Sequence, residues 1–333
     1  MKKIKILETT LRDGSYAIDF SFSLKQTSDI CVALQDAGFE YIEIGHGVGL
    51  NASSCGFGKA KQTDEEYLKA AASVLTKSKF GMFCIPGIAR LEDIDLAASH
   101  GMGFIRIGTN VTESEKAEKF IDKAKSYGMF VAANFMKSYV MSPKEFAQRV
   151  KVTENFGADM VYVVDSAGGM FPENIKNYYE AIREVSNISL GFHGHDNLSL
   201  AVANSIYAAE LDFDFVDSSL QGLGRSAGNA ATESLVAAFL KKGINLDIDL
   251  LKTLKVGQDF VRPLIREKGR DSLDFVAGFS EFHSSYMKYI DEYSLQYKIN
   301  PAVLMIEVSK VDKVEVTSQM VKNVACKIKG INF

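Results

Sequence analysis

The chain predicts an α/β fold of the (β/α)8 TIM-barrel type, followed by a small helical C-terminal domain. Eight short apolar or β-branched runs alternate with longer segments of helical spacing, and each run ends in a polar or Gly-containing turn. Alternation of that kind implies parallel strands joined by helical crossovers, and eight units over roughly 250 residues is the size of such a barrel. The strand pattern then stops near residue 245, and only helical segments follow. An open doubly wound sheet is the structural competitor.

In order, the strand runs are IKILET (4–9), YIEIG (41–45), KFGMFCI (79–85), GFIRIG (103–108), MFVAANF (129–135), DMVYVVD (159–165), ISLGFHGH (188–195) and FDFVDSSL (213–220). The helical segments between them carry their own start and stop signals. Ser23 precedes LKQTSDICVALQDAG, which ends at Gly38 as a C-cap glycine would. Thr63 precedes DEEYLKAAASVL, whose acidic first turn suits the helix dipole. Ser142 precedes PKEFAQRVKVTENFG and puts Pro143 at the first helical position. The connection from His46 to Thr63 is long, Gly- and Ser-rich and without a period, which marks a functional or disordered loop. Three later segments, DLLKTLKVGQDFVRPLIREKG, SEFHSSYMKYIDEYSLQYK and PAVLMIEVSK, read as helical. The barrel is therefore assigned to residues 1–270 and the helical domain to 271–333.

At 333 residues, with 47% hydrophobic and 24% charged residues, the composition is that of a globular protein. A formal net charge of -4 and the lack of a basic stripe argue against a nucleic-acid partner. Cys31, Cys55, Cys84 and Cys326 form no CxxC pair, so neither a disulfide framework nor a structural zinc site is indicated. No signal peptide and no membrane span are expected, and the protein is read as cytoplasmic.

The substrate site of a barrel lies at the C-terminal ends of its strands. The polar residues expected there are Arg12, Asp13, His46, Asn110, Ser138, Asp165, Ser166, His193, His195, Ser219 and Gly222. His193 and His195 stand two apart on a strand, so both imidazoles point the same way and can grip one cation. Asp13, at the end of the first strand, is within reach of them in a closed barrel. Two imidazoles and a carboxylate suit a divalent Mn, Mg, Fe, Co or Zn ion acting as a Lewis acid. The alternative is a pair of hydrogen-bonded barrel histidines holding no ion. Asp165 either orients a ligand or caps the next turn, and His46 either supports the site or packs its loop. His100 ends a helix, where a cation complements the dipole. The glycines of QGLGRSAGN (221–229) read as close packing beside the site rather than as a phosphate cradle.

The stretches ETTLRDGSYAIDFSFS, HGVGLNASSCGFGKAKQTDEEYL, IPGI, DSAGGM, GFHGHDNLSLAVANSI, DSSLQGLGRSAGNAATE and RPLIREKG closely resemble the 4-hydroxy-2-oxovalerate aldolases, in order and over nearly the whole chain. These are class II pyruvate aldolases in the metal-dependent (β/α)8 group that also holds hydroxymethylglutaryl-CoA lyase and isopropylmalate synthase. The resemblance implies that Asp13, His193 and His195 hold the metal, typically Mn2+, with Mg2+, Co2+ or Zn2+ as alternatives. It implies that Arg12 stabilises the pyruvate enolate oxygen and that Ser166 contacts the substrate carboxylate. Asp13 and His193 then border the 2-oxo acid, and Asp196 supports the site. It further implies a homo-oligomer and an acylating aldehyde dehydrogenase as partner, although VEVTSQMVKNVACKI stands where relatives carry a Gly-Gly-Gln-Glu-Asp type stretch.

Two positions depart from the family pattern. The family's histidine base for the C4 hydroxyl is Tyr16 here, and a tyrosine of the C-terminal region is Ser280, with His283 and Tyr286 close by. Tyr16 is therefore the catalytic candidate at that position, in activated form. Otherwise a hydroxide on the ion or His46 takes the role, or the substrate is a different 2-oxo acid. The runner-up function, an acyl-CoA lyase or Claisen-type synthase, is disfavoured because QGLGRSAGN lacks the cysteine of that loop. A non-catalytic metal-binding regulatory homologue is the reading from another class.

Overall fold

A computed structural model describes residues 4–244, 246–265 and 271–329. Eight parallel strands close into a barrel in sequence order. They are β1 (Lys5–Glu8), β2 (Tyr41–Glu43), β3 (Lys79–Cys84), β4 (Phe104–Asn110), β5 (Phe130–Met136), β6 (Met160–Asp165), β7 (Ser189–Gly194) and β8 (Phe215–Ser218). Closure is made by β1, whose Glu8 pairs with Ile42 on one side and Ser218 on the other. Each strand is followed by a helix: α1 (Leu24–Ala37), α2 (Asp64–Val74), α3 (Leu91–Ser99), α4 (Glu118–Ser126), α5 (Pro143–Asn155), α6 (Pro172–Arg183), α7 (Ala201–Glu210) and α8 (Thr232–Lys241).

The local signals act as expected. Ser23, Thr63 and Ser142 each close a capping box, with Gln26, Glu66 and Glu145 respectively. Gly38 terminates α1 at φ 102, a left-handed conformation in which a side chain would be strained. The long connection after β2 folds back on the barrel rim: Leu50 N–H donates to the Phe83 carbonyl and Asn51 N–H to the Asp64 carboxylate.

Helix α9 (Leu250–Val256) packs on the barrel, and its Val256 joins the same apolar cluster as the barrel helices. A second cluster is built from α10 (Ser272–Ser280), α11 (Met287–Tyr297), α12 (Pro301–Ser309) and α13 (Ser318–Ile328), centred on Ile290, Leu304, Met305, Val308 and Val321. The expected boundary at residue 270 and the last four residues of RPLIREKG lie outside the described residues.

The barrel interior is layered, because residues two apart on a strand share a face. On β4, Ile105 and Ile107 face the helices while Phe104 and Arg106 face inward. The bottom layer is apolar and aromatic: Tyr41 meets Phe104 and Phe215 edge-on at centroid distances of 5.7 and 5.0 Å. The middle layer is ionic. Arg106, 1% exposed, donates through Nε to Glu43 Oε1 at 2.8 Å and through Nη1 to Asp217 Oδ2 at 2.5 Å. The top layer opens into the cavity described below.

These features separate two scales of stability loss. Ser142→Ala removes one cap and is expected to lower unfolding free energy by about 1 kcal/mol. Arg106→Met strands two buried carboxylates and is expected to cost about 3–5 kcal/mol. Urea unfolding of both variants beside the unsubstituted chain checks the ordering; equal losses would show that the ionic layer carries no special weight.

Candidate active site

One cavity at the C-terminal end of the barrel is lined by Arg12, Asp13, Tyr16, Ser166, His193 and His195 together with Asn134 and Arg225. Every residue singled out for catalysis, metal or substrate thus faces one space. Phe83, Ile85, Met136 and Val164 supply its apolar wall.

Asp13 comes from the turn after β1, whose residues Asp13–Ile18 form a short 3-10 helix. His193 lies on β7, and His195 follows that strand in a bridge to Asn229. One donor atom from each of Asp13, His193 and His195 lies within 4.8 Å of the other two, and all three residues are buried. The His193 Nδ1–H donates to Asp217 Oδ2 at 2.8 Å. Its Nε2 then points at Asp13 Oδ2, 4.0 Å away. The His195 Nδ1 is 3.1 Å from the Gly228 carbonyl, which can only accept, so this nitrogen carries the proton and Nε2 keeps its lone pair. Burial pushes the His195 imidazole down to about 3, which keeps it neutral. Burial would raise the Asp13 carboxyl, but the Arg12 guanidinium at 2.6 Å together with His195, His193 and Arg225 outweighs it and holds the group well below the usual carboxylate range. Two imidazoles with committed Nδ1 atoms and one ionised carboxylate form a donor set that fits a divalent ion.

Arg12 donates through Nε to Glu43 Oε2 at 2.7 Å and through Nη1 to Asp13 Oδ2 at 2.6 Å. Among the described residues its Nη2 makes no hydrogen bond, and the side chain borders the cavity. Tyr16 packs against Gly47, where a Cβ would stand 2.5 Å from the ring, so glycine is required for the tyrosine to reach the cavity. Burial raises the Tyr16 phenol, more than Arg225 lowers it. Ser166 Oγ accepts from the Lys137 backbone N–H at 2.9 Å, which fixes it at the rim.

Other expected rim residues serve the scaffold. The His46 ring stacks on Phe20 at 3.8 Å, its Nε2 donates to the Gly58 carbonyl, and its Nδ1 accepts from Val48 N–H. It packs its loop and does not line the cavity. Asp165 accepts from the Gly169 and Met170 N–H groups and caps the turn after β6. Asp196 accepts from Ala201 N–H at the start of α7, and Ser138 ties β5 to β6 through Val164 N–H. Asn110 donates to Glu113, and His100 lies 3.6 Å from Glu65. Ser280 donates to the Val276 carbonyl within its own helix and so cannot stand in for a tyrosine reaching the cavity.

Four charged residues of the site are absent from the sequence reading: Glu43, Arg106, Asp217 and Arg225. Glu43, Arg106 and Asp217 each interrupt an apolar strand run, and that interruption is the signal that would have found them. Arg225, on the turn after β8, has no comparable signal.

The chain matches the family model described as HMGL-like over residues 3–260. It is 35% identical to a 4-hydroxy-2-oxovalerate aldolase of Carboxydothermus hydrogenoformans over 99% of both chains. It is 37% identical to one of Pelotomaculum thermopropionicum over 92% of this chain and 91% of the relative. Among solved structures, the N-terminal domain of a putative aldolase from Bacteroides vulgatus superposes with a TM-score of 0.75 at 26% identity, covering 88% of this chain and 98% of that one. The carboxyl transferase domain of Rhizobium etli pyruvate carboxylase shares the fold at a TM-score of 0.80 and 18% identity, over 98% of this chain and 60% of that one. The chain belongs to the HMGL-like family, and within it to the 4-hydroxy-2-oxovalerate aldolases.

Proposed function

We propose that the protein is a divalent-metal-dependent lyase that cleaves a 4-hydroxy-2-oxo acid to pyruvate and an aldehyde, and that it also runs this aldol reaction in reverse. The observation that carries the reading is the convergence of Asp13, His193 and His195 in one buried cluster beside Arg12. Mn2+ is the ion assigned, on the family resemblance; the nitrogen and oxygen donors also accommodate Mg2+, Co2+ or Zn2+. Held there, the ion supplies a Lewis acid for the 2-oxo group.

The chain's own residues divide the remaining work. Cleavage between C3 and C4 leaves negative charge on the oxygen of C2, and the uncommitted edge of Arg12 faces the cavity where that charge develops. Glu43 and Asp13 hold the guanidinium in place, so it need not reorganise during the reaction. Ser166 offers its hydroxyl to the substrate carboxylate. Tyr16 holds the oxygen of C4: in bond formation its neutral phenol donates a proton there, and in cleavage the same oxygen takes that proton back. A phenol is protonated at neutral pH, the form that donates in bond formation, whereas cleavage begins from the phenolate. The apolar wall of Phe83, Ile85 and Met136 limits water around the nascent enolate.

Three further assignments rest on less. The four unpaired cysteines suit a reducing compartment, in keeping with the cytoplasm. A homo-oligomer and an acylating aldehyde dehydrogenase partner are carried by the family resemblance alone.

Two measurements test the reading. Calorimetric titration with Mn2+ should give one site per chain, and Asp13→Asn, His193→Asn or His195→Asn should each weaken it about 100-fold or more, the upper end of what losing a supporting hydrogen bond costs. A variant that keeps full affinity would remove its residue from the ligand set. Pyruvate release from 4-hydroxy-2-oxopentanoate should fall about 100-fold in kcat with Tyr16→Phe. A full rate in that variant would remove Tyr16 from the proton transfer.

A further inference from the structure

The two arginines of the cavity differ in how their charge is met. Arg12 is clamped between Glu43 and Asp13. The Arg225 guanidinium, by contrast, makes no ion pair among the described residues. Its Nη2 donates to His283 Nε2 at 2.9 Å, while His283 Nδ1 lies 2.7 Å from the Ser285 hydroxyl. His283 is therefore a neutral acceptor that aims the guanidinium without offsetting it. The Arg225 Cζ lies 5.4 Å from the centre of the Tyr16 ring, and the Arg225 Nε is buried with no hydrogen-bond partner among the described residues. The carboxylate of Asp13 accepts from the Arg225 backbone N–H at 3.3 Å and feels the guanidinium's charge without pairing with it.

A charge count over this end of the barrel points the same way. Arg12 and Arg106 are offset by Glu43 and Asp217. Asp13 offsets one of the two charges of a divalent ion, and both imidazoles bind as neutral ligands. One positive charge from the ion and one from Arg225 are left over. The carboxylate of a simple 2-oxo acid matches only the first. Lys137, whose Nζ donates to the Tyr286 hydroxyl at 2.7 Å, adds a further amine at this rim.

We propose that Arg225 binds a second anionic group, a carboxylate or a phosphate, on the aldehyde half of the substrate, so that the acid cleaved is a dianion. The placement rests on the aldolase reading above: with the 2-oxo end at Asp13, His193 and Ser166 and the C4 oxygen at Tyr16, whatever extends beyond C4 meets the guanidinium that lies over the Tyr16 ring. A buried Nε and a half-committed Nη2 present two donors side by side, the geometry that arginine uses for planar or tetrahedral oxyanions.

The test separates this proposal from the reading beneath it. Exchange of the methyl protons of pyruvate for deuterium in the Mn2+-loaded enzyme, followed by NMR, needs no aldehyde; its absence would overturn both. With exchange present, aldol addition of pyruvate is compared for succinate semialdehyde, glyceraldehyde 3-phosphate and butanal. One of the two anionic acceptors should exceed butanal in kcat/KM by about tenfold or more, and which one does so distinguishes carboxylate from phosphate. Arg225→Gln should abolish that preference and Arg225→Lys should retain part of it. At equilibrium, 2-oxoadipate should bind more tightly than 2-oxohexanoate by calorimetry, and Arg225→Gln should level the two. Butanal equal to or better than both anions, or a proportional loss for all acceptors in Arg225→Gln, would overturn the role of Arg225 and leave the aldolase intact.

Discussion

A single buried cation organises the upper half of this barrel. The middle of a (β/α)8 interior is ordinarily filled by branched aliphatic side chains. Here Arg106 occupies it, bonded to Glu43 from β2 and Asp217 from β8. Charges taken out of water are tolerated only when partnered, so three strands are locked in one relative position by the need to keep the triad complete. Burial works to protonate both carboxylates, and the guanidinium between them, helped by Arg12 at Glu43 and His193 at Asp217, keeps both ionised. Each carboxylate then has capacity to spare on its upper side. Asp217 spends it on His193, and Glu43 on Arg12. The orientation of the His193 imidazole and of the Arg12 guanidinium next to it thus traces back to one residue below the cavity.

The site is accordingly rigid below and adjustable above. Asp13 and His193 stand on strand ends or the turns that leave them, supported by the ionic layer. His195 is held by the Gly228 carbonyl, and Gly228 has φ 85 with no room for a Cβ, which would stand 2.0 Å from the Gly222 carbonyl oxygen. The tight QGLGRSAGN turn is therefore part of the apparatus that sets the tautomer of His195, beyond the close packing its glycines suggest. The helical region closes over this end through a few polar contacts: Lys137 to Tyr286, Arg225 to His283 and Asn197 to the Asp274 carbonyl.

How much of this was legible in the chain follows from the range of each interaction. The eight strands and the caps at Ser23, Thr63 and Ser142 are local chemistry, and they stand where the residues place them. The convergence of Asp13 with His193 and His195 was also readable, because a period of two sets the histidine pair and barrel closure brings β1 to β8. Arg106 was not, since its meaning lies in Glu43 and Asp217, 63 and 111 residues away in sequence, and each of the three alone is merely a charge in an apolar run. His46 shows the same limit: its loop role depends on stacking against Phe20, which no periodicity reports. Arg225 sits in a turn, where arginines are ordinary, and only the missing counter-charge sets it apart.

Tyr16 and Arg225 also explain one another. An imidazole at position 16 would stand beside an unpaired guanidinium, whose charge disfavours the protonated ring and so weakens it as a proton carrier. A phenol does not gain positive charge when it holds its proton, and its ring face attracts the guanidinium instead. Gly47 completes the arrangement by leaving space for the larger ring. The departure from histidine thus replaces a ring that can accept a proton at neutral pH with a phenol whose face meets a fixed cation in the cavity. A site altered in that way has its electrostatics, more than its metal chemistry, redirected.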